Sequence, residues 1–138
     1  MTFEDLPDNW PTLSLTEPRL LADVLDLVVG YRERVDESFV VLVCDDDVRL
    51  VQPCVIGPDP GPCDPAIVRT FFDAMREGMA EVCSGGTVIV ASARARGLSP
   101  TPDDEAWVAA TRAALAGTGW SVSSAHVVTL DGSRPMAA

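Results

Sequence analysis

The sequence predicts an α/β domain in which a mixed sheet of about five strands is covered by about three helices. Three observations lead there. Residues 38–45 (SFVVLVCD) are apolar and β-branched with no polar face, the mark of a strand covered on both sides. Residues 20–29 and 66–82 carry apolar side chains at helical spacing. Residues 87–136 then run strand, Pro-rich turn, helix, strand.

Each element has a local reason. Residues 1–14 set Pro7, Trp10 and Pro11 among polar neighbours and read as an N-terminal extended arm whose tryptophan packs on the body. Residues 15–138 read as a single domain. Thr16 is placed to cap a helix with Glu17 and Pro18 in its first turn. Leu20, Leu21, Val24, Leu25, Val28 and Val29 form its apolar stripe, Gly30 ends it, and the charged YRERVDE stretch adds a further turn. After strand 38–45, Asp45, Asp46 and Asp47 make a turn and residues 48–57 return as the hairpin partner. Pro53 has no amide hydrogen, which places it at a sheet edge or a bulge. The three aspartates lack the alternating ligands, glycine turn and distant glutamate of a calcium loop, so they read as a solvated turn.

Residues 58–65 (PDPGPCDP) form a rigid loop that ends in an N-cap, Asp64, and an N1 proline, Pro65. The helix after them puts Ile67, Phe71, Met75, Met79 and Val82 on one face, widened by Phe72. Gly85 and Gly86 turn the chain into the buried strand TVIVAS. Thr101 caps the last helix, Pro102 fits its first position, and Asp103, Asp104 and Glu105 complement the positive end of its dipole. Trp107, Ala110, Ala114 and Leu115 face inward, Gly117 and Gly119 stop the helix, and residues 122–130 form the next strand.

Composition narrows the function. The chain has 138 residues and a formal net charge of -11, and all ten basic residues are arginine. An anionic surface of this size repels phosphate backbones, which argues against a nucleic-acid partner. No apolar run reaches membrane-spanning length, so no membrane partner is expected, and the acidic N-terminus lacks the pattern of a signal peptide, so a cytoplasmic location is expected. Cys44, Cys54, Cys63 and Cys83 form no C-x-x-C pair and read as small buried hydrophobes. There is one histidine, His126, and no G-x-S-x-G motif, so nucleophilic hydrolysis has little to build on.

The order of residues 39–56, 66–82 and 87–136 resembles the JAB/MPN metalloprotease-like domain in its bacterial RadC-like form. In that family a buried strand ends in His-x-His-Pro-Ser-Gly, a Pro-x-Pro-Ser-x-x-Asp turn opens a helix, and an Asp-His-hydrophobic strand follows. Here TVIVASARA (87–95), Pro100-Thr101-Pro102 and His126-Val127-Val128 stand in those places. The resemblance implies the family's layered, cytidine-deaminase-like architecture. It also implies a degenerate site: Ala93 and Ala95 stand at the two histidine positions, Asp103 at the serine, Ala106 at the aspartate, and Ala125 before His126. Alanine has no lone pair for zinc, and Gln52, near the place of the family's glutamate, cannot act as a base.

What the resemblance implies is therefore a non-catalytic domain, a pseudoenzyme with no metal or cofactor, acting through a protein partner or as a homodimer. Arg94, Arg96 and His126 are the candidate ligand or partner contacts. In the plainer reading both arginines pair with the carboxylates of Asp103, Asp104 and Glu105. Two other classes stay open. One is a hydrolase with a metal site rebuilt around His126, Asp103 and Asp104. The other is a regulatory domain that binds a small anion through the forks of Arg94 and Arg96.

Overall fold

The structure is a computed structural model that describes residues 6–136. Residues 1–5 of the expected arm and residues 137–138 of the expected domain lie outside the described residues. A short 3-10 helix (Trp10–Thr12) leads into α1 (Pro18–Val28), α2 (Tyr31–Val35), β1 (Ser38–Cys44), β2 (Leu50–Ile56), α3 (Pro65–Met79), β3 (Gly86–Ala93), α4 (Pro102–Leu115), β4 (Trp120–Thr129) and β5 (Gly132–Pro135). The protein is thus α/β with one five-stranded mixed sheet, in the order β2-β1-β3-β4-β5. β1 runs antiparallel to β2 and β3, β3 and β4 are parallel through the α4 crossover, and β5 folds back antiparallel on β4.

The alternation of strand side chains sorts the core into two layers. Phe39, Val41, Val43, Val88 and Val90 face α3 and α4, where they meet Val68, Phe72, Trp107 and Leu115. Val40, Leu42, Cys44, Ile89, Ala91 and Ala93 face the other way, onto Leu21, Val24 and Leu25 of α1. All seven residues of β1 are buried, which is why its sequence shows no polar face. Pro53 lies on β2, the outer strand, where a missing amide hydrogen is tolerated.

Four expectations are corrected. There are four α-helices among the described residues, because Gly30 takes an extended backbone (ψ 172°) and caps a new helix, α2, instead of letting α1 add a turn. Glu17, not Thr16, caps α1, accepting from the backbone N–H of Arg19 and Leu20. The segment before α1 is not fully extended, since it holds the 3-10 turn, and Ser14 and Leu15 tie it to the β1–β2 turn through the carbonyls of Asp47 and Val48. On α3 the buried stripe is Val68, Phe72, Met75 and Met79, while Ile67 is 51% and Val82 68% exposed. The helix ends at Met79, so Val82 falls in the turn beyond it, and Phe71 sits at the rim, edge-on to Phe72 at 5.0 Å.

Arg34 of α2 fastens this side of the molecule. It is buried and donates to the carbonyls of Val29, Thr129 and Asp26 and to the Asp26 carboxylate, joining α1, α2 and the end of β4. The described cysteines are all free, with Cys44 buried and the other three half-buried. No helix among the described residues is long and apolar enough to cross a membrane.

The rotated α3 stripe can be tested by urea unfolding. Phe72→Ala should lower stability by about 3–5 kcal/mol, the usual cost of emptying a buried aromatic site. Ile67→Ala should change it by less than about 0.5 kcal/mol, as an exposed position does. Equal costs would return Ile67 to the core.

Candidate functional site

A parallel strand pair needs a crossover, and here α4 supplies it, so the C-terminal end of β3 opens beside the N-terminus of α4. Open α/β sheets bind ligands at such places. The first turn of α4 is fixed by a capping box: Thr101 Oγ1 accepts from the Asp104 N–H, and Asp104 Oδ2 accepts from the Thr101 N–H at 2.8 Å. Arg94, the first residue after β3, reaches into this turn. Its Nη1 lies 2.8 and 2.7 Å from the two Asp104 oxygens, while Nε donates to the Gly97 carbonyl and Nη2 to that of Ser99. Every nitrogen of this guanidinium is therefore engaged within the loop and helix that surround it.

Asp103 serves the neighbouring loop. Its Oδ1 accepts from the Cys63 N–H at 2.9 Å and its Oδ2 from the Trp107 indole at 3.2 Å. The Trp107 ring stacks on Phe39 of β1 with centroids 4.8 Å apart. These contacts border a cleft of about 490 Å³, lined among others by Glu37, Phe39, Asp59, Ser92, Arg94 and Asp103. Burial, followed by the charges of Asp103 and Asp64, pushes the Cys63 thiol up, so it is no thiolate nucleophile at neutral pH.

The residues singled out by sequence converge only in part: Ala93, Arg94, Asp103 and Asp104 border this cleft, while Ala95, Ala106, Gln52, Arg96 and His126 do not. Ala93 turns its side chain into the α1-side core, Ala95 lies in the following loop with its carbonyl bonded to the Leu130 N–H, and Ala106 is exposed on α4. Gln52 is exposed on β2. Ser92 and Arg94, one position earlier than Ala93 and Ala95, also line the cleft, and Ala95 does not. Only Arg94 pairs with the α4 carboxylates. Arg96 instead meets Asp131 at 2.6 Å, which corrects the expectation that both arginines pair there.

His126 belongs to the opposite face of the sheet. It is 7% exposed and lines a second cleft, of about 430 Å³, with Leu15, Leu21, Ser124 and Ser133, under α1. Its Nε2 lies 2.9 Å from Ser124 Oγ. Burial lowers its pKa to about 4, so the ring is neutral at pH 7. The sheet separates it from Asp103 and Asp104, and these three therefore do not form one site. Among the described residues no group of three His, Cys, Asp or Glu side chains is placed to hold a metal ion.

Sequence reasoning missed Glu37, Phe39, Asp59 and Ser92. For Ser92 a signal was available: in VIVAS, residues 88–92, alternation from Val88 and Val90 makes it the polar end of an otherwise apolar strand face. Glu37 and Asp59 reach the cleft only because the chain outside β1 and β2 folds over it, where the Asp59 N–H donates to the carbonyls of Asp36 and Glu37. Comparison with protein-family models, with curated proteins and with solved structures finds no match to this chain.

Two outcomes are expected. Breaking the largely buried ion pair by Arg94→Ala should cost about 3–5 kcal/mol in chemical denaturation, because Asp104 is left without its partner. The His126 pKa is lower folded than unfolded, so the unfolded chain binds the extra proton first. Stability from this group is fully present above about pH 6.5 and is lost as pH falls towards 4. The difference in unfolding free energy between the native chain and His126→Gln should therefore shift by about 3 kcal/mol across that window, and a pH-independent difference would refute the assignment.

Proposed function

We propose that this protein is a non-catalytic JAB/MPN-like domain, a pseudoenzyme of the RadC-like type that works through protein contacts. The observation that carries the reading is the Arg94–Asp104 pair at the mouth of the α4 crossover. A zinc site needs about three lone-pair donors and one open position. At the strand end where the resemblance places that site, this chain sets a cation whose donors are spent on Asp104, Gly97 and Ser99. The two-layered packing of helices on a mixed five-stranded sheet accords with the layered architecture that the resemblance implies. The same engagement of Arg94, with Arg96 held by Asp131, leaves the anion-binding alternative with few free donors.

Protein contact has a surface to use. Val55, Ile67 and Phe71 line an apolar groove of about 430 Å³ between β2 and α3, and Val55 and Ile67 are both exposed. Exposed apolar patches of this kind mark association sites. Free cysteines suit a reducing cytoplasm as the place of action.

The test is metal content by mass spectrometry after zinc exposure and desalting. The reading expects less than about one tenth of an equivalent of zinc to be retained. About one equivalent, lost in His126→Ala, would overturn it in favour of a rebuilt hydrolase site.

A further inference from the structure

We infer that the cleft under α1, where His126 lies, is a binding site for a small uncharged molecule that joins a carbonyl or hydroxyl to an apolar body. A break in strand register supplies the first observation. β3 and β4 slip between Val88 and Ile89: Val88 pairs with Val122 and Ile89 with Ser124, so Ser123 has no partner on β3. Before the slip Trp120 and Val122 pack on the α3–α4 side, and beyond it Ala125 does. Ser124, His126 and Val128 are thereby turned to the α1 side, where Val128 joins the core. A bulge of this kind re-aims side chains and recurs beside functional sites.

The slip sets polar groups on a face that is otherwise aliphatic. Ser133, opposite Val128 on β5, brings another hydroxyl to the same side, and Ser123 also lines the cleft. The helix above answers with Leu21 and Ala22, and no lining residue carries a charge at pH 7. His126 is 7% exposed, and its Nε2 is engaged with Ser124 Oγ. Among the described residues Nδ1 has no hydrogen-bond partner, yet it is not sealed off, so it opens on the cleft. A neutral imidazole has one N–H and one lone pair. Whichever of them the Ser124 hydroxyl takes, the other is presented to the cleft at Nδ1. The volume of about 430 Å³ lies within the range of small-molecule pockets, roughly 300–1,000 Å³. An ion entering it would shed water with no counter-charge to meet it, which is costly. An uncharged molecule avoids that cost, gains the Nδ1 bond and the hydroxyls, and covers Leu15, Leu21 and Pro135 with its apolar part.

The site stands apart from the protein-contact reading, whose apolar groove lies on the α3 side of the sheet. The experiment is an NMR titration of the full chain with δ-valerolactam and, separately, with cyclohexanol. The ring nitrogens of His126 are followed, and they need no assignment because the chain has one histidine. Cyclohexylammonium and cyclohexanecarboxylate serve as charged matches in size. A saturating shift of Nδ1, half complete at about 1–10 mM, is expected for a neutral probe, with the charged probes at least about tenfold weaker. A response to the lactam alone assigns a carbonyl ligand and one to cyclohexanol alone a hydroxyl ligand; both support the site. Ala22→Leu, which fills the cleft from α1 and leaves Ser124 in place, should abolish the shift, and Ser123→Ala should weaken it. A ring held there only for packing would respond to none of the probes. That result, a response unchanged in Ala22→Leu, or equal binding of a charged probe would overturn the inference.

Discussion

The structure depends on one constraint: its two central strands are covered on both faces. β1 and β3 have apolar side chains on alternate sides, so helices must pack above and below the sheet to remove them from water. That demand sets α1 on one face and α3 with α4 on the other. It also sets where the chain can make a site. With β3 and β4 parallel, α4 must cross over the sheet, and its N-terminus comes to rest beside the end of β3. The cleft is a by-product of this crossover, and its polar groups come from the end of β3, the start of α4 and the chain that flanks β1 and β2.

Within that cleft the charges divide into two kinds of work. Asp104 closes the capping box and holds Arg94, and Arg94 holds the 97–99 loop in return, so this pair organises backbone. Such a pair gains its value from hydrogen bonds that satisfy the remaining donors, because two desolvated charges alone are costly. Glu37 and Asp59 do no comparable structural work with their carboxylates and stay in water. Asp103 stands between these roles: it orients the Trp107 ring and steadies the Cys63 backbone while remaining at the rim. An acidic rim with its one arginine already paired is a different chemical environment from the cationic one suggested by Arg94 and Arg96 in the sequence alone.

What was legible in the sequence was local. The unbroken apolar run of β1 announced a doubly covered strand, and Asp64-Pro65 and Thr101-Pro102 announced the starts of α3 and α4 through cap and dipole chemistry. The face of α3 was less legible, because Ile67 and Phe71 are as apolar as Val68 and Phe72, and only the sheet below decides which pair is buried. Gly30 signals a helix end in the sequence, and only its extended backbone makes it the cap of a new helix. The site was hardest. It joins residues far apart in sequence, from Glu37 to Trp107, and the strand parity that packs the Ala93 side chain into the α1-side core while Ser92 and Arg94 border the cleft is fixed only by the packing of both faces.

Both outer strands contain proline, Pro53 in β2 and Pro135 in β5. A strand edge is a template on which a further chain can polymerise, and a residue without an amide hydrogen interrupts the row of donors that such growth needs. The sheet is thereby finite by construction. If copies of this protein meet, they are steered towards docking by side-chain surfaces, which saturate at a fixed stoichiometry, and away from the open-ended strand addition that leads to fibres.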